Sequence, residues 1–403
     1  MNRKIVITEF NSKRYLLDFT DEVCTRISVL GSDDTNIVGN IYIGRVENVV
    51  KNINAAFVEI QKGVKCYYSL QENQNHIFLN QKNNSAVNIG DKLLIQVSRE
   101  AVKTKPATAT CKLEIPGKYV VVSADVKGVL VSSKIKKNPQ ALIIKEALIE
   151  LLDSCQNFGF ILRTNAAEAE LNDVVKEAKQ LSDTFAGIIK ASQYGMFFDR
   201  LYSSMADYCN EINNVPTNEL EKIITDQKDV YNTILQSVSG LDREKVVFYE
   251  DEMLSLNKLY SLETLLKRST DRKVWLKSGG YIVIDQTEAM TVIDVNSGKQ
   301  IAGKTKANKI EQMEDSFFKV NMEAANELAR QLSVRNLSGI IIVDFINMKN
   351  DEHNKELLSF LSKCLKQDSV TASVIDITKL GLVEITRKRN GKSLAEQLQG
   401  EIK

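Results

Sequence analysis

The chain has only two histidines, His76 and His353, in 403 residues. That argues against Ser-His-Asp and Cys-His mechanisms and favours chemistry run by carboxylates and a metal. The six cysteines (Cys24, Cys66, Cys111, Cys155, Cys209, Cys364) are scattered, with no CxxC pair. Neither a structural zinc held by closely spaced thiolates nor a disulfide framework is expected. No apolar run approaches the roughly 18 residues of a membrane span, and no signal-peptide pattern opens the sequence. The expectation is a soluble, cytoplasmic protein of a reducing compartment. An excess of one charge is also lacking: 53 basic residues stand against 52 acidic ones. Net charge therefore neither signals nor excludes a nucleic-acid partner, for which only local clustering matters.

What is present is a 43% apolar fraction, enough for proper cores, in a length that calls for two to four domains. Residues 1–35 read as three short strands, KIVITEF, KRYLLDF and CTRISVL. Three are too few to close a sheet, so a later segment should pair with them. Residues 36–115 are strand-rich, punctuated by Gly39, Gly44, Gly63 and Gly90, which suggests a small barrel. Its aromatic set, Tyr42, Phe57, Tyr67 and Tyr68, is interleaved with Arg45, Lys51, Lys62 and Lys65. Such a pattern suits single-stranded RNA, and equally the core and rim of any small barrel.

Residues 117–135 read as a hairpin-like β segment, and Asn138-Pro139 as a helix start. GFILRTNA, at 159–166, reads as a strand ending in Arg163-Thr164, with a helix over roughly 167–191. Charged helices are expected around 218–238 and 252–268. From 271 to 390 the pattern turns α/β: GGYIVIDQTEAMTVIDVNSG, a helix through Ala324, Ala325, Leu328 and Leu332, the strand GIIIVDFINM, a helix over 351–367, and the strands SVIDIT and GLVEITRKR. The last residues read as a polar tail or short helix.

Two chemistries compete for this C-terminal part. Gly298 to Thr305, GKQIAGKT, fits a phosphate-binding loop in which Lys304 would reach the outer phosphates. Asp294 would then aim a carboxylate at those phosphates, and the following segment, KANKIEQMED, is a weak charged helix. The alternative is a carboxylate metal site. Asp294 interrupts one apolar strand, Asp344 ends another, and Asn296 shares a face with Asp294 by period-two alternation. Each would be a carboxylate on a buried strand, costly unless paired or metal-bound. On neighbouring strands the two would lie side by side, and oxygen-only ligands favour Mg2+ or Mn2+ over zinc.

At SGGYIVIDQTEAMTVIDVNSG, NMEAANELARQL, LSGIIIVDFINM and GLVEITRKR the sequence resembles the catalytic region of the ribonuclease E/G family of bacterial endoribonucleases. Upstream, GNIYIGRVENVV with AAFVEIQKGVKCYYSL resembles that family's S1-type OB-fold, and GFILRT its 5′-end sensor. The resemblance implies an α+β and α/β multi-subdomain fold. An RNase H-like subdomain (1–35 plus 205–270) would carry an inserted OB-fold (36–116). A 5′-sensor (117–204), a DNase I-like catalytic subdomain (271–390) and a tail (391–403) would follow. It implies a Mg2+-dependent endoribonuclease acting on single-stranded RNA in rRNA processing or mRNA decay, leaving 5′-phosphate and 3′-hydroxyl ends. Asp294 and Asp344 match its magnesium ligands, and Asn296 the asparagine that assists them. Phe57 and Tyr67 match its RNA-holding aromatic pair, and Lys105 loosely a lysine of that surface. Arg163 and Thr164 match the pair that receives a 5′-monophosphate, with Gly117 and Val121 lining the pocket. The family's CPxC zinc motif is absent after RKRNGKS, so zinc is not expected, and a homo-oligomer stays open but not through the family's zinc link. Thr371 stands where the family has a basic sensor residue. Two other functions stay open: an RNA-binding protein that has lost catalysis, and a nucleotide hydrolase built on Gly298–Thr305.

Overall fold

The computed structural model describes residues 2–31, 37–80, 86–101, 105–152, 158–238, 240–298 and 309–398. In chain order its elements are β1 (Arg3–Phe10), β2 (Lys13–Thr20), β3 (Val23–Leu30), β4 (Ile41–Val50), β5 (Ala55–Gln61), β6 (Val64–Ser69), β7 (Lys92–Arg99), β8 (Thr108–Thr110), β9 (Glu114–Pro116), β10 (Val120–Ser123), β11 (Val129–Val131), α1 (Pro139–Leu152), β12 (Gly159–Leu162), α2 (Leu171–Ser192), β13 (Arg200–Tyr202), α3 (Asp207–Asn214), β14 (Leu220–Thr225), α4 (Lys228–Ser237), β15 (Val246–Phe248), α5 (Leu256–Leu259), α6 (Leu262–Thr270), β16 (Lys273–Trp275), β17 (Tyr281–Gln286), β18 (Met290–Asn296), α7 (Lys309–Val334), β19 (Gly339–Asp344), α8 (Asp351–Leu365), β20 (Ala372–Ile377), β21 (Val383–Arg387) and α9 (Leu394–Leu398). They form two compact units, Met1–Leu30 with Ile223–Gln227 and Phe248–Lys403, and Gly31–Lys222 with Lys228–Val247.

In the second unit, strands run β4-β5-β6-β8-β7 and β7 pairs back onto β4. The result is a closed five-stranded barrel, consistent with an OB-fold. Val46, Val58, Leu93 and Ile95 fill it. Tyr42 and Tyr68 are only 7% and 0% exposed, so they belong to the barrel core and not to a base-stacking surface. The Tyr68 hydroxyl meets His76 Nδ1 at 2.8 Å. Beyond the barrel a four-stranded sheet runs β11-β12-β10-β9. The hairpin expected over 117–135 does not form. β12 inserts between β10 and β11, antiparallel to one and parallel to the other. Helices α1 and α2 bury Ile144, Leu148, Val174 and Phe185 on this sheet.

In the first unit, β1, β2 and β3 make an antiparallel meander with direct register from Arg3–Thr20 to Phe10–Lys13. β14 lies beside β1. The helix expected from residue 218 therefore starts only at Lys228, because Leu220–Thr225 is a strand. Leu262, Leu266, Leu394 and Leu398 share one apolar cluster with Val6, Tyr15 and Leu17. Leu394–Leu398 is thus a docked helix and not a free tail.

The remaining sheet runs β16-β17-β18-β19-β21-β20. β18 and β19 are parallel, which requires a crossover, and α7 supplies it. Helices α7 and α8 cover one face through Ala324, Leu328, Leu332, Leu357 and Leu361 packed on Ile293 and Ile341. The opposite face is open: Met290 is 37%, Val292 38% and Ile340 53% exposed. β18 alternates exposed and buried side chains along Met290–Val295. Asp294 therefore sits on an open face and not in a buried strand, which corrects the reading from its apolar neighbours. Isoleucine and valine at both parities made that strand look buried on both sides. The first arginine of the RKR run is structural. Buried Arg387 donates to Asp368 at 2.8 Å and, through Nη1, to the Leu337 carbonyl at 2.8 Å and Asn336 Oδ1 at 3.0 Å.

Candidate active site

Asp294 and Asp344 are register partners across the parallel β18–β19 pair. Adjacent strands lie about 4.8 Å apart, and both residues are exposed on the open face. The two carboxylates are therefore neighbours. Asn296, two residues on, donates from Nδ2 to Asp294 Oδ2 at 2.7 Å. The amide turns one carboxylate oxygen toward itself and fixes the side chain's orientation. Tyr281 stands opposite Asn296 and Val283 opposite Asp294.

Two glycines hold the end of β18. Gly298 has φ +69°, and a Cβ on it would collide with the Gly279 carbonyl. A Cβ on Gly280 would meet the Asn296 carbonyl at 2.8 Å. The SGG and NSG runs are thus close-approach positions that seat Asn296. The rest of the phosphate-loop pattern, Lys299 to Thr305 with Lys304, lies outside the described residues.

Like charges side by side on strands repel unless a cation joins them. Among the described residues no cluster of three or more His, Cys, Asp or Glu could hold a metal. The donor set is two carboxylates, all hard oxygens, with the Asn296 amide bonded to one of them. An incomplete oxygen shell open to solvent is of the kind Mg2+ takes, keeping several waters and sharing substrate phosphates.

On the barrel, Phe57 and Tyr67 are cross-strand partners. Their rings are edge-to-face, 6.3 Å apart between centroids, and both are half-buried. Phe57 borders a depression of about 360 Å³ with Glu47, Asn48 and Lys65, and Lys65 pairs with Glu47 at 2.8 Å. Lys105 is exposed just before Ala107, whose carbonyl accepts from the Tyr67 N–H at 2.7 Å. Phe57 and Tyr67 thus share one face of the barrel, and Lys105 lies in the chain leading into the strand beside Tyr67.

Arg163 leaves the end of β12 with extended backbone. Its guanidinium donates to the Gly117 carbonyl and to Asn214 Oδ1. Burial pulls its pKa down. Thr164 is exposed, with its hydroxyl 3.4 Å from that of Ser132. Val121 is the register partner of Ile161, which places it on the same sheet face as Arg163. Gly117, Val121 and Arg163 therefore converge.

Residues 114–390 match the model of the ribonuclease E/G family. Ribonuclease G of Escherichia coli (strain K12) is 32% identical over 378 residues, covering 91% of this chain and 75% of that protein. The chain belongs to the ribonuclease E/G family. Ribonuclease G of Haemophilus influenzae is 31% identical, with 91% and 75% covered. Ribonuclease E of Synechocystis sp. (strain PCC 6803) is 28% identical over 98% of this chain and 58% of that protein.

Two residues of this ribonuclease E/G family chain escaped the sequence reading. Asn321 on α7 is fully buried. It accepts from the Ile346 N–H at 3.0 Å and donates to the Ile346 carbonyl at 2.8 Å. It thereby fixes the backbone just after Asp344. An amide inside the stripe Val320, Ala324, Ala325 and Leu328 was the available signal. Glu177, on α2, is 5% exposed. Its Oε1 accepts from the N–H groups of Tyr119 (2.8 Å) and Val120 (3.0 Å), and a Cβ on Gly117 would strike it. Burial raises the Glu177 pKa above the usual carboxylate value, against the backbone donors and Arg163, which lower it.

A raised folded-state pKa gives stability that is fully present below the unfolded carboxyl pKa and is lost as pH rises through the folded value. In Glu177→Gln the amide oxygen still accepts both N–H groups, and the titration is gone. Its unfolding midpoint should therefore fall less than wild type's between mildly acidic and neutral pH. Parallel thermal melts across that window check this; identical pH profiles would remove Glu177 as the cause.

Proposed function

We propose that this chain is a Mg2+-dependent endoribonuclease that cleaves single-stranded RNA, as in rRNA processing or mRNA decay, leaving 5′-phosphate and 3′-hydroxyl ends. The in-register pair Asp294–Asp344, with Asn296 bonded to Asp294, carries this reading. Asp294 and Asp344 would hold the ion, which when bound would neutralise the scissile phosphate and make a water more acidic. Asn296 holds Asp294 in one orientation, so ligand geometry is set before substrate arrives. Phe57 and Tyr67 offer ring faces to unstacked bases, and Lys105 a cation to the backbone. Arg163, with Thr164, Gly117 and Val121, would receive a 5′-monophosphate. The fork already bonded to Gly117 and Asn214 is pre-aimed but must share its donors.

The similarity to proteins named ribonuclease G and ribonuclease E supports the activity. The subdomain reading follows it: an RNase H-like meander, an S1-type barrel, a 5′-sensor sheet and a DNase I-like catalytic sheet. The test is cleavage of a 5′-monophosphorylated, A/U-rich single strand with Mg2+, with and without EDTA. Cleavage abolished by EDTA and restored by excess Mg2+ is expected; RNA bound but uncut in Mg2+ would leave only a binding protein. On the barrel, Phe57→Ala should weaken RNA affinity by about 1–3 kcal/mol, read by fluorescence anisotropy of labelled RNA. Unchanged affinity would take Phe57 out of the RNA surface.

A further inference from the structure

The open face of the catalytic sheet carries a second chemical group beside the carboxylates. On edge strand β16, Trp275 pairs with Tyr281 and Lys273 with Val283. Since Tyr281 faces Asn296 and Val283 faces Asp294, two cross-strand rows run Trp275–Tyr281–Asn296 and Lys273–Val283–Asp294–Asp344. All of these lie on one face. The Trp275 and Tyr281 rings meet at 61°, 5.4 Å apart. Lys273 Nζ sits in their notch, 3.9 Å from one centroid and 3.5 Å from the other.

We propose that Trp275, Lys273 and Tyr281 form a nucleotide subsite that holds a residue of the RNA strand next to the scissile phosphate. This rests on the ribonuclease reading above. The base stacks on the outer face of Trp275, and the backbone phosphate takes the Lys273 ammonium.

Several observations carry the assignment. Trp275 is 65% exposed, and its ring is packed against Tyr281 in a two-ring cluster with an outer face open to a ligand. An edge strand needs a charge to deter pairing, and Lys273 supplies that; it has no need of an exposed tryptophan. Lys273 makes no ion pair among the described residues, and its ammonium is held in place by the two rings. Aromatic faces with a cation between them are what binds successive bases and phosphates of a single strand.

Charge also fixes the side from which the strand reaches the site. On the other flank of the carboxylates, Glu384 pairs with Ile342 and adds a further negative group to that face. A polyanion is repelled there and attracted at Lys273. The spacing fits as well: β16 is two strands from β18, roughly 10 Å from Lys273 to Asp294. That is a neighbouring nucleotide's distance and not the reacting one's.

Trp275 is the chain's single tryptophan, so its emission reports this position directly. The full chain in EDTA is titrated with a fluorescein-labelled A/U-rich oligoribonucleotide, reading anisotropy for binding, and with the unlabelled strand, reading tryptophan emission. Emission should be quenched along the same isotherm as anisotropy, and an oligonucleotide of abasic residues should bind without quenching. Trp275→Leu should weaken binding roughly 5- to 150-fold, the equivalent of one stacked base, and Trp275→Phe should restore most of it. Lys273→Gln should lower the slope of log affinity against log salt by about one unit. Binding with unchanged tryptophan emission overturns the subsite and leaves the ribonuclease reading intact. Absence of both binding and Mg2+-dependent cleavage overturns both.

Discussion

Asp294→Asn and Asp344→Asn should each cut RNA cleavage about a thousandfold or more while RNA affinity stays close to wild type. A site whose metal charge stabilises the transition state by several kcal/mol loses that rate when a ligand is neutralised, at tenfold per ~1.4 kcal/mol. The fold should not suffer. The two residues are exposed register partners, and their like charges oppose each other in the metal-free protein. Neutralising one relieves that repulsion, so the melting temperature in EDTA should hold or rise. Single-turnover cleavage of labelled RNA, with melts beside it, measures both quantities. Wild-type rates in both variants would move the chemistry elsewhere. A collapse in melting temperature would mean the pair holds the sheet together.

The second large effect is expected at Asn321, which touches neither carboxylate. Asn321→Leu leaves the Ile346 N–H and carbonyl without the partners they have at 3.0 and 2.8 Å. An unsatisfied buried backbone group costs about 1–3 kcal/mol, and Ile346 is half-buried, so the pair costs roughly 1–3 kcal/mol in all. That is a large share of any domain's stability. The segment after Asp344 should then lose its fixed course, and cleavage should fall even where the protein remains folded. Denaturant unfolding followed by circular dichroism, with cleavage assayed well below the transition, separates the two losses. Full stability in the variant would mean that water or a rearranged loop satisfies Ile346.

The sequence showed the strands of the N-terminal meander, the barrel and the α/β sheet, since each carries its own pattern between turn residues. The alternation Asp294, Val295, Asn296 put two polar groups on one face without any structure. Other features were decided by contacts no local pattern encodes. Leu220–Thr225 places its apolar residues at Leu220, Ile223 and Ile224, a helical i, i+3, i+4 spacing, yet it runs as a strand beside β1. Val120–Ser123 and Val129–Val131 look like a hairpin across Gly128, but β12 separates them. Glu177 reads as one more charge on an amphipathic helix, and only the close approach of Gly117 shows it buried. Of the candidate site, the carboxylates were legible because buried-looking acids are rare. The Lys273–Trp275–Tyr281 cluster was not, because exposure is a tertiary property.

If Asp294 and Asp344 hold the proposed ion, the parallel pairing of β18 with β19 makes enzyme activity a measure of strand alignment. Side chains on a strand change faces with every residue. A slip of one position between β18 and β19 would carry Asp344 to the helix-covered face and bring Val343 or Phe345 beside Asp294. Such a chain could keep its hydrogen bonds and much of its secondary structure while lacking a cation site. Recovered cleavage during refolding should therefore lag the recovery of far-ultraviolet circular dichroism whenever misaligned sheets form first. Specific activity per folded molecule, and not helix content, would then count the correctly registered population.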